Sequence, residues 1–252
     1  MIDLHSHILP GVDDGAATLE VSVEMARSAV ADGIDVLVAT PHVRADYPTT
    51  PETMERLLAE THAALAAAEV PLELRPGGEL GLDALAGAED AWLRRFTLGG
   101  GTWLLLEFPY HGWPQRLHDT VAALASRGFS VLLAHPERNA EVQSDPGQLR
   151  GAVDAGALVQ LTAASVDGRL GRSARAAAHT LLDRGLAHVI ASDGHAPALR
   201  EIGMRAAAAT LDDERLARWL TTDVPAAILD RGPIPSRPSP ARRRLTLPRL
   251  RR

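Results

Sequence analysis

Two periods of apolar residues alternate along this chain. Short, nearly continuous apolar runs rich in leucine and β-branched residues occur at residues 2–4, 34–40 (IDVLVAT), 72–79, 102–108 (TWLLLEF), 129–134, 157–161 and 188–192. Runs of this length and composition predict buried strands. Between them, apolar positions near helical spacing predict helices over residues 18–32, 51–68, 88–95, 114–127, 146–155, 172–184, 199–210 and 212–221. The helix ends are marked. Thr18 and Thr50 stand where N-caps belong, Pro51 lies in a first turn, and Gly33, Gly156 and Gly185 follow last turns.

Strand–helix alternation repeated about seven times implies parallel strands joined by right-handed crossovers. An open doubly wound sheet satisfies the pattern, but this repeat count within 252 residues favours a closed β/α barrel. No boundary interrupts residues 1–230, which read as one domain. Residues 231–252 lack periodicity, are rich in proline and arginine, and read as a disordered tail.

Composition narrows the chemistry. Cysteine is absent, which excludes disulfides, thiolate ligands and cysteine nucleophiles. All 26 basic residues are arginine, which excludes Schiff-base chemistry and a P-loop lysine. No apolar run reaches the roughly 18–20 residues of a membrane span. The opening MIDLHSH lacks the basic and apolar regions of a secretory leader. A cytoplasmic location is the expectation. Residues 231–252 carry eight arginines and no acid, so with a net charge of −6 overall the preceding 230 residues carry −14. The acidic body argues against a nucleic-acid substrate. The basic tail suits an acidic partner, an acidic membrane surface or nucleic acid.

Candidate chemistry lies at the strand ends. The stretch IDLHSHILPGVDDG delivers His5 and His7 two residues apart, hence to one side of an extended strand. It then turns through Pro10 and Gly11 to the paired carboxylates Asp13 and Asp14. His42 follows the second run, Glu79 closes the third, Glu107 ends the fourth, and His135 follows the fifth. Asp193 and His195 follow the last. Parallel barrels build their sites from the C-terminal ends of several strands, so these side chains would meet on one face. Each has a plain alternative. His-x-His could lie on a surface strand, His42 and His135 could be turn histidines beside prolines, and Asp193-Gly194-His195 could be only a turn. Glu107, after three leucines, needs a partner or a cavity, because a lone buried acid is costly. His62, His111, His118, His179 and His188 read as solvent-facing or structural. Imidazole with carboxylate and no thiolate suits Mn²⁺, Fe²⁺ or Zn²⁺. The donors exceed the roughly three protein ligands of one catalytic ion, which implies two or three ions. Such clusters generate hydroxide at neutral pH and stabilise both oxygens of a phosphoester displacement.

The motifs HSHILPGVDDGA, ATPH, GGE, LLEFP, AHPER, TAAS and ASDGH occur in that order over about residues 1–205. Together they resemble the signatures of the polymerase and histidinol phosphatase (PHP) superfamily. Within it they are most similar to the manganese-dependent protein-tyrosine phosphatases of bacterial capsule and exopolysaccharide operons. The resemblance implies a distorted (β/α)7 barrel of PHP type carrying a three-metal cluster. It implies that His5, His7, Glu79 and Asp193 hold one ion. Glu79 then bridges to a second, completed by Glu107 and His135, and Asp14, His42 and His195 hold the third. Arg138 and Arg200 are the implied phosphate-binding arginines. The implied cofactor is Mn²⁺, with Fe²⁺ or Zn²⁺ as alternatives. The implied reaction is hydrolysis of phosphotyrosine by a metal-held hydroxide, without a covalent phosphoenzyme. The implied substrate is a phosphotyrosine protein, above all a bacterial tyrosine kinase that regulates polysaccharide synthesis. Histidinol-phosphate phosphatase and a phosphodiester-cleaving nuclease are alternatives on the same scaffold. A metal-stabilised kinase-docking module is the non-catalytic alternative.

Overall fold

The apolar runs form strands; the strand predicted over 72–79 is broken in two, and a further short strand follows the one predicted over 34–40. The computed structural model describes residues 1–196 and 203–239. Its strands are β1 (Ile2–Ser6), β2 (Val36–Ala39), β3 (His42–Arg44), β4 (Tyr47–Pro48), β5 (Glu73–Pro76), β6 (Glu79–Gly81), β7 (Trp103–Glu107), β8 (Ser130–Leu133), β9 (Leu158–Thr162) and β10 (Val189–Ala191). Pro41, which has no N–H for a ladder, separates β2 from β3, so His42 opens a strand. Gly77 and Gly78 separate β5 from β6. A Cβ on Gly77 would stand 2.8 Å from Val38 Cγ1, and one on Gly78 2.6 Å from Phe96 Cδ1. Only bare backbone passes between those side chains.

β1, β2 and β5 form one sheet, and a second runs in the order β10-β9-β8-β7-β6-β3-β4. All pairings are parallel except the β3–β4 hairpin, which the periodicity did not predict. Since β2 runs on into β3 and β5 into β6, the two sheets share their strand lines. The ring closes where Ser6 bridges Gly194. There Asp193 N donates to His5 O at 2.9 Å and His7 N to Gly194 O at 2.8 Å. Buried Asp3 reinforces this seam, its Oδ1 accepting from Ser192 N at 3.0 Å. Seven strand lines thus make the expected distorted (β/α)7 barrel.

The helices are α1 (Leu19–Asp32), α2 (Pro51–Ala67), α3 (Asp90–Arg95), α4 (Leu117–Ser126), α5 (Ala140–Ser144), α6 (Arg150–Asp154), α7 (Ala163–Val166), α8 (Arg172–Asp183), α9 (Met204–Ala209), α10 (Glu214–Arg218) and α11 (Val224–Leu229). Thr18 caps α1 through Val21 N, Thr50 caps α2 through Thr53 N, and Gly33 ends α1 with φ of 89°. The helix predicted over 146–155 begins as a 3₁₀ turn, Pro146–Leu149. The one predicted over 212–221 runs from α10 through a π turn, Trp219–Asp223, into α11, where Pro225 has no N–H to bond back. Short α5 and α7 were not expected, and residues 199–202 of the predicted 199–210 helix lie outside the described residues. Leu104, Leu105, Leu106, Leu132, Leu161 and Ile190 are fully buried in the barrel core.

The tail from residue 231 was expected to be disordered, and residues 231–239 correct that. Trp219 Nε1 donates to Pro235 O at 2.9 Å, and Ile234 packs on the core. The Arg237 guanidinium donates to Leu182 O at 2.8 Å and Ala187 O at 2.9 Å. Those carbonyls lie at and beyond the last turn of α8, where helices leave acceptors open. Composition registers an arginine in a proline-rich stretch; it cannot register the carbonyls waiting for it. Residues 240–252 lie outside the described residues. Among the described residues no helix is long and apolar enough to cross a membrane.

Candidate metal centre

β1 carries His5, and His7 follows its last residue; both imidazoles are wholly buried. What lies behind them fixes their tautomers. His5 Nδ1 stands 2.9 Å from Gln160 Oε1, and His7 Nδ1 stands 2.8 Å from Asp13 Oδ2. Both partners accept, so each Nδ1 carries the proton and each Nε2 turns a lone pair inward. The two Nε2 atoms are 3.2 Å apart. Glu79 Oε2 lies 3.4 Å from each, and Asp193 Oδ1 lies 3.5 and 3.6 Å away. With both rings neutral, four acceptors converge here, so either protons on the imidazoles or a cation must balance them. That is an arrangement a cation stabilises and water alone does not.

The other predicted donors join the same rim. His42 opens β3 and Glu79 opens β6, directly opposite in register; Glu107 ends β7 opposite Gly81. His135 follows β8 with φ of 31° and Asp193 follows β10 with φ of 52°. Both backbones sit in the left-handed region, a strain that recurs where a site dictates side-chain direction. Asp14 Oδ1 lies 3.4 Å from His42 Nε2 and 3.2 Å from His195 Nε2. His195 Nδ1 donates to Asp193 O at 2.9 Å, which turns Nε2 towards Asp14.

All nine predicted donors therefore fall into four overlapping groups of convergent atoms. They are His7, Asp14, His42 and His195; His5, His7 and Asp193; His5, Glu79 and His135; and His42, Glu79 and Glu107. Glu79 lies in two of them, as a bridging ligand would. His135 and Glu107, expected to share one ion, fall in different groups, each with Glu79. Glu79 Oε2 and His42 Nδ1 are 2.8 Å apart, yet neither has a hydrogen bond of acceptable geometry. Two buried polar atoms left so are the mark of a missing shared partner, and hard or borderline divalent cations match this donor set.

The electrostatics agree. Burial opposes charge at every one of these groups, yet Glu79 and Asp193 hold the His5 imidazole above its usual value, and Asp13 and Glu79 hold His7 well above. Against the same burial penalty, the imidazoles of His5, His135 and His42 keep the Glu79 carboxyl well below the usual range. The pocket is tuned for positive charge among fixed carboxylates.

Arg138 lies beside this rim. Its Nη1 donates to Asp193 Oδ2 at 2.6 Å, and its guanidinium carbon sits 4.6 Å from the Tyr110 ring centre. Arg200 lies outside the described residues. Of the remaining histidines, His62, His111 and His118 are exposed, and His179 Nε2 donates to Val166 O at the end of α7, at 3.0 Å. The roles of three residues were not legible in the sequence, although Asp13 was singled out there beside Asp14. Asp13 holds His7 and also accepts from His42 N at 3.0 Å. Gln160 holds His5, and Arg44 Nη1 donates to Glu107 Oε2 at 2.6 Å. Gln160 left a clear trace, a fully buried amide inside the apolar strand β9.

Comparison with known proteins gives this geometry relatives. A family model described as "Capsular polysaccharide synthesis, CpsB/CapC" matches residues 1–230. The tyrosine-protein phosphatase YwqE of Bacillus subtilis (strain 168) is 32% identical over 248 residues, 97% of this chain and 98% of its own length. The tyrosine-protein phosphatase CpsB of Streptococcus pneumoniae is 30% identical over 204 residues, 77% of this chain and 83% of its own. A crystal structure from work on YwqE and CpsB, described as unique metal-dependent tyrosine phosphatases, superimposes with a TM-score of 0.88 at 31% identity. It covers 96% of this chain and all of the other. A β-aspartyl dipeptidase from Fervidobacterium islandicum AW-1 shares the fold alone, with a TM-score of 0.57 at 14% identity over 90% of this chain and 72% of its own. The chain belongs to the CpsB/CapC family of capsular polysaccharide synthesis proteins.

Proposed function

We propose that this protein is a metal-dependent protein-tyrosine phosphatase whose centre holds two or three divalent cations. The observation that carries the reading is the convergence of His5, His7, Glu79 and Asp193 on one point, beside a half-buried arginine, Arg138. Relatives named as tyrosine phosphatases across nearly the whole chain support the substrate class. His5, His7, Asp14, His42, Glu79, Glu107, His135, Asp193 and His195 are the proposed ligands. Their nitrogen and oxygen donors suit Mn²⁺ first, with Fe²⁺ and Zn²⁺ as competitors. Cations held there supply Lewis acidity, a water acidic enough to react at neutral pH, and charge to balance phosphoryl oxygens.

The chain's own groups do the rest. Arg138, held in place by Asp193 and Tyr110, presents its remaining N–H groups to the equatorial oxygens of the phosphoryl group. Arg200 is proposed as the second guanidinium. Gln160 and Asp13 keep the two opening imidazoles in the ligating tautomer. The leaving phenolate has a conjugate acid near pKa 10, so it departs with less help from a general acid than an alkoxide needs. The absence of cysteine closes the route through a phosphocysteine. The proposed physiological substrate is a phosphotyrosine protein, a bacterial tyrosine kinase of capsule or exopolysaccharide synthesis.

The test is turnover of the Mn²⁺-loaded protein on phosphotyrosyl peptide, histidinol phosphate and single-stranded DNA, with His135→Ala beside it. Phosphotyrosyl peptide is expected to be hydrolysed and the variant to lose activity. Hydrolysis of histidinol phosphate alone overturns the substrate, and full turnover by His135→Ala overturns the ligand assignment.

A further inference from the structure

A cavity of about 500 Å³ opens against the metal centre, and the centre itself does not use it. The two share one wall: Glu107, the proposed ligand that ends β7, and Tyr110, three residues on. Phe108, Pro109, Tyr110 and Leu82, which follows the strand paired with β7, give the cavity an apolar part beside its charged groups. Gly81 keeps the floor open. A Cβ there would stand 2.3 Å from Asp83 Oδ1 and 2.9 Å from Arg44 Cβ.

The charges at the cavity argue against a second phosphate site. Arg44 is its cation, and both edges of that guanidinium are already engaged, Nη1 by Glu107 at 2.6 Å and Nε by Asp46 at 2.9 Å. Asp83 adds another negative charge, held by Ala45 N at 3.0 Å. An anion entering here meets carboxylates and a neutralised arginine. An uncharged flat group meets aromatic and aliphatic walls.

Tyr110 joins the two compartments. Its ring centre lies 4.6 Å from the Arg138 guanidinium carbon and 5.9 Å from the His135 ring centre, and the same side chain borders the cavity. It is also the large apolar side chain left exposed among the described residues, at 39%. An aryl phosphate has the matching shape, an anionic head bonded directly to a planar apolar ring. A dry cavity of about 150 Å³ already suffices for a benzene ring, so this one has room for a tyrosyl side chain and part of its backbone.

We propose that this cavity seats the aromatic ring of the substrate, and that Tyr110 and Leu82, which both line it, are what favour tyrosyl over seryl and threonyl phosphates. The proposal rests on the phosphotyrosine reading above and adds where the ring lies and which residues recognise it. A phosphoseryl side chain placed at the same metals has nothing to fill the cavity and gains none of its contacts. Offset or edge-on packing of the substrate ring on Tyr110, with the area buried at Leu82, is the source of the preference.

Steady-state kinetics of the Mn²⁺-loaded full chain test this with three substrates: a phosphotyrosyl peptide, the same peptide carrying phosphoserine, and phenyl phosphate. The variants are Tyr110→Ala, Tyr110→Phe and Leu82→Trp, the last filling the cavity without touching Tyr110. Leu82→Trp is expected to raise KM about tenfold for the two aryl phosphates, with kcat moved much less and the phosphoserine KM unmoved, and Tyr110→Ala, which also loosens Arg138, to raise the aryl-phosphate KM well beyond any rise for phosphoserine. Tyr110→Phe is expected to restore the wild-type KM, because the ring and not the hydroxyl makes the contact. Wild-type KM in both Tyr110→Ala and Leu82→Trp, or an equal rise for the phosphoserine peptide, overturns the ring seat while leaving the phosphatase reading intact. Failure of the wild-type protein to hydrolyse any of the three brings down the phosphatase reading and the ring seat together.

Discussion

Asp13 and Gln160 touch no substrate and hold no proposed metal ligand role, yet each decides which nitrogen of a neighbouring imidazole is bare. Outer partners of this kind typically change metal affinity 10- to 100-fold. Asp13→Ala is therefore expected to weaken Mn²⁺ binding by about that factor, read by calorimetric titration of the metal-stripped protein; unchanged affinity would remove Asp13 from the centre. Gln160 was not legible as part of the site, because its meaning lies in a partner 155 positions away, His5; Asp13 stood out as a carboxylate beside Asp14 but not as the anchor of His7. The nine donors were legible for the opposite reason. Histidine and acid at the ends of wholly apolar strands have no cheap place to go, so their presence announces a use. His188 shows the same logic away from the metals. Burial, then the nearby Arg237 charge, pushes its pKa down from 6.5 to about 4. The native state refuses a proton that the unfolded chain accepts, so stability is fully present above about pH 6.5 and declines as pH falls towards 4. His188→Gln, which keeps an acceptor for Val159 N, is expected to lose stability less steeply than wild type between pH 6.5 and 4 in urea titrations.

Among the elements, the strands were legible as apolar runs and the long helices from their caps, as at Thr18, Thr50 and Gly33. The breaks were not. Nothing in the run 72–79 distinguishes a continuous strand from β5 and β6 with a gap between, because the gap answers to Val38 and Phe96, which approach from other elements. That gap places Glu79 at the start of β6, paired with His42 and shared between two donor groups. Gly78→Ala puts a methyl group into Phe96 and is expected to cost about 1–3 kcal/mol in denaturant unfolding, typical of overpacking a filled core. A variant as stable as wild type would show that β6 has slack the packing does not display. The β3–β4 hairpin was hidden for a related reason, since three residues and two make too little periodicity to read.

For the whole molecule, the donors come from nearly the full length of the barrel, so cation binding and folding are linked. Chelation is expected to lower the melting temperature by several degrees relative to protein in excess Mn²⁺, since ligand at 100 times Kd stabilises by about 2.7 kcal/mol. A melting point indifferent to chelator would separate the cluster from stability and count against bound ions. The barrel seam has a consequence for how the molecule is made. It joins Ser6 and His7 to Gly194, and residues on both sides of it are donors. On the ribosome every donor except Asp193 and His195 emerges while the ring is still open, and a half-built ring has no enclosed rim to fill. Cations at the proposed centre would gain their last ligands, Asp193 and His195, only as the ring closes. In a cell starved of the cation, newly made chains would lack the tie across that last join and would be the ones that quality-control proteases find first.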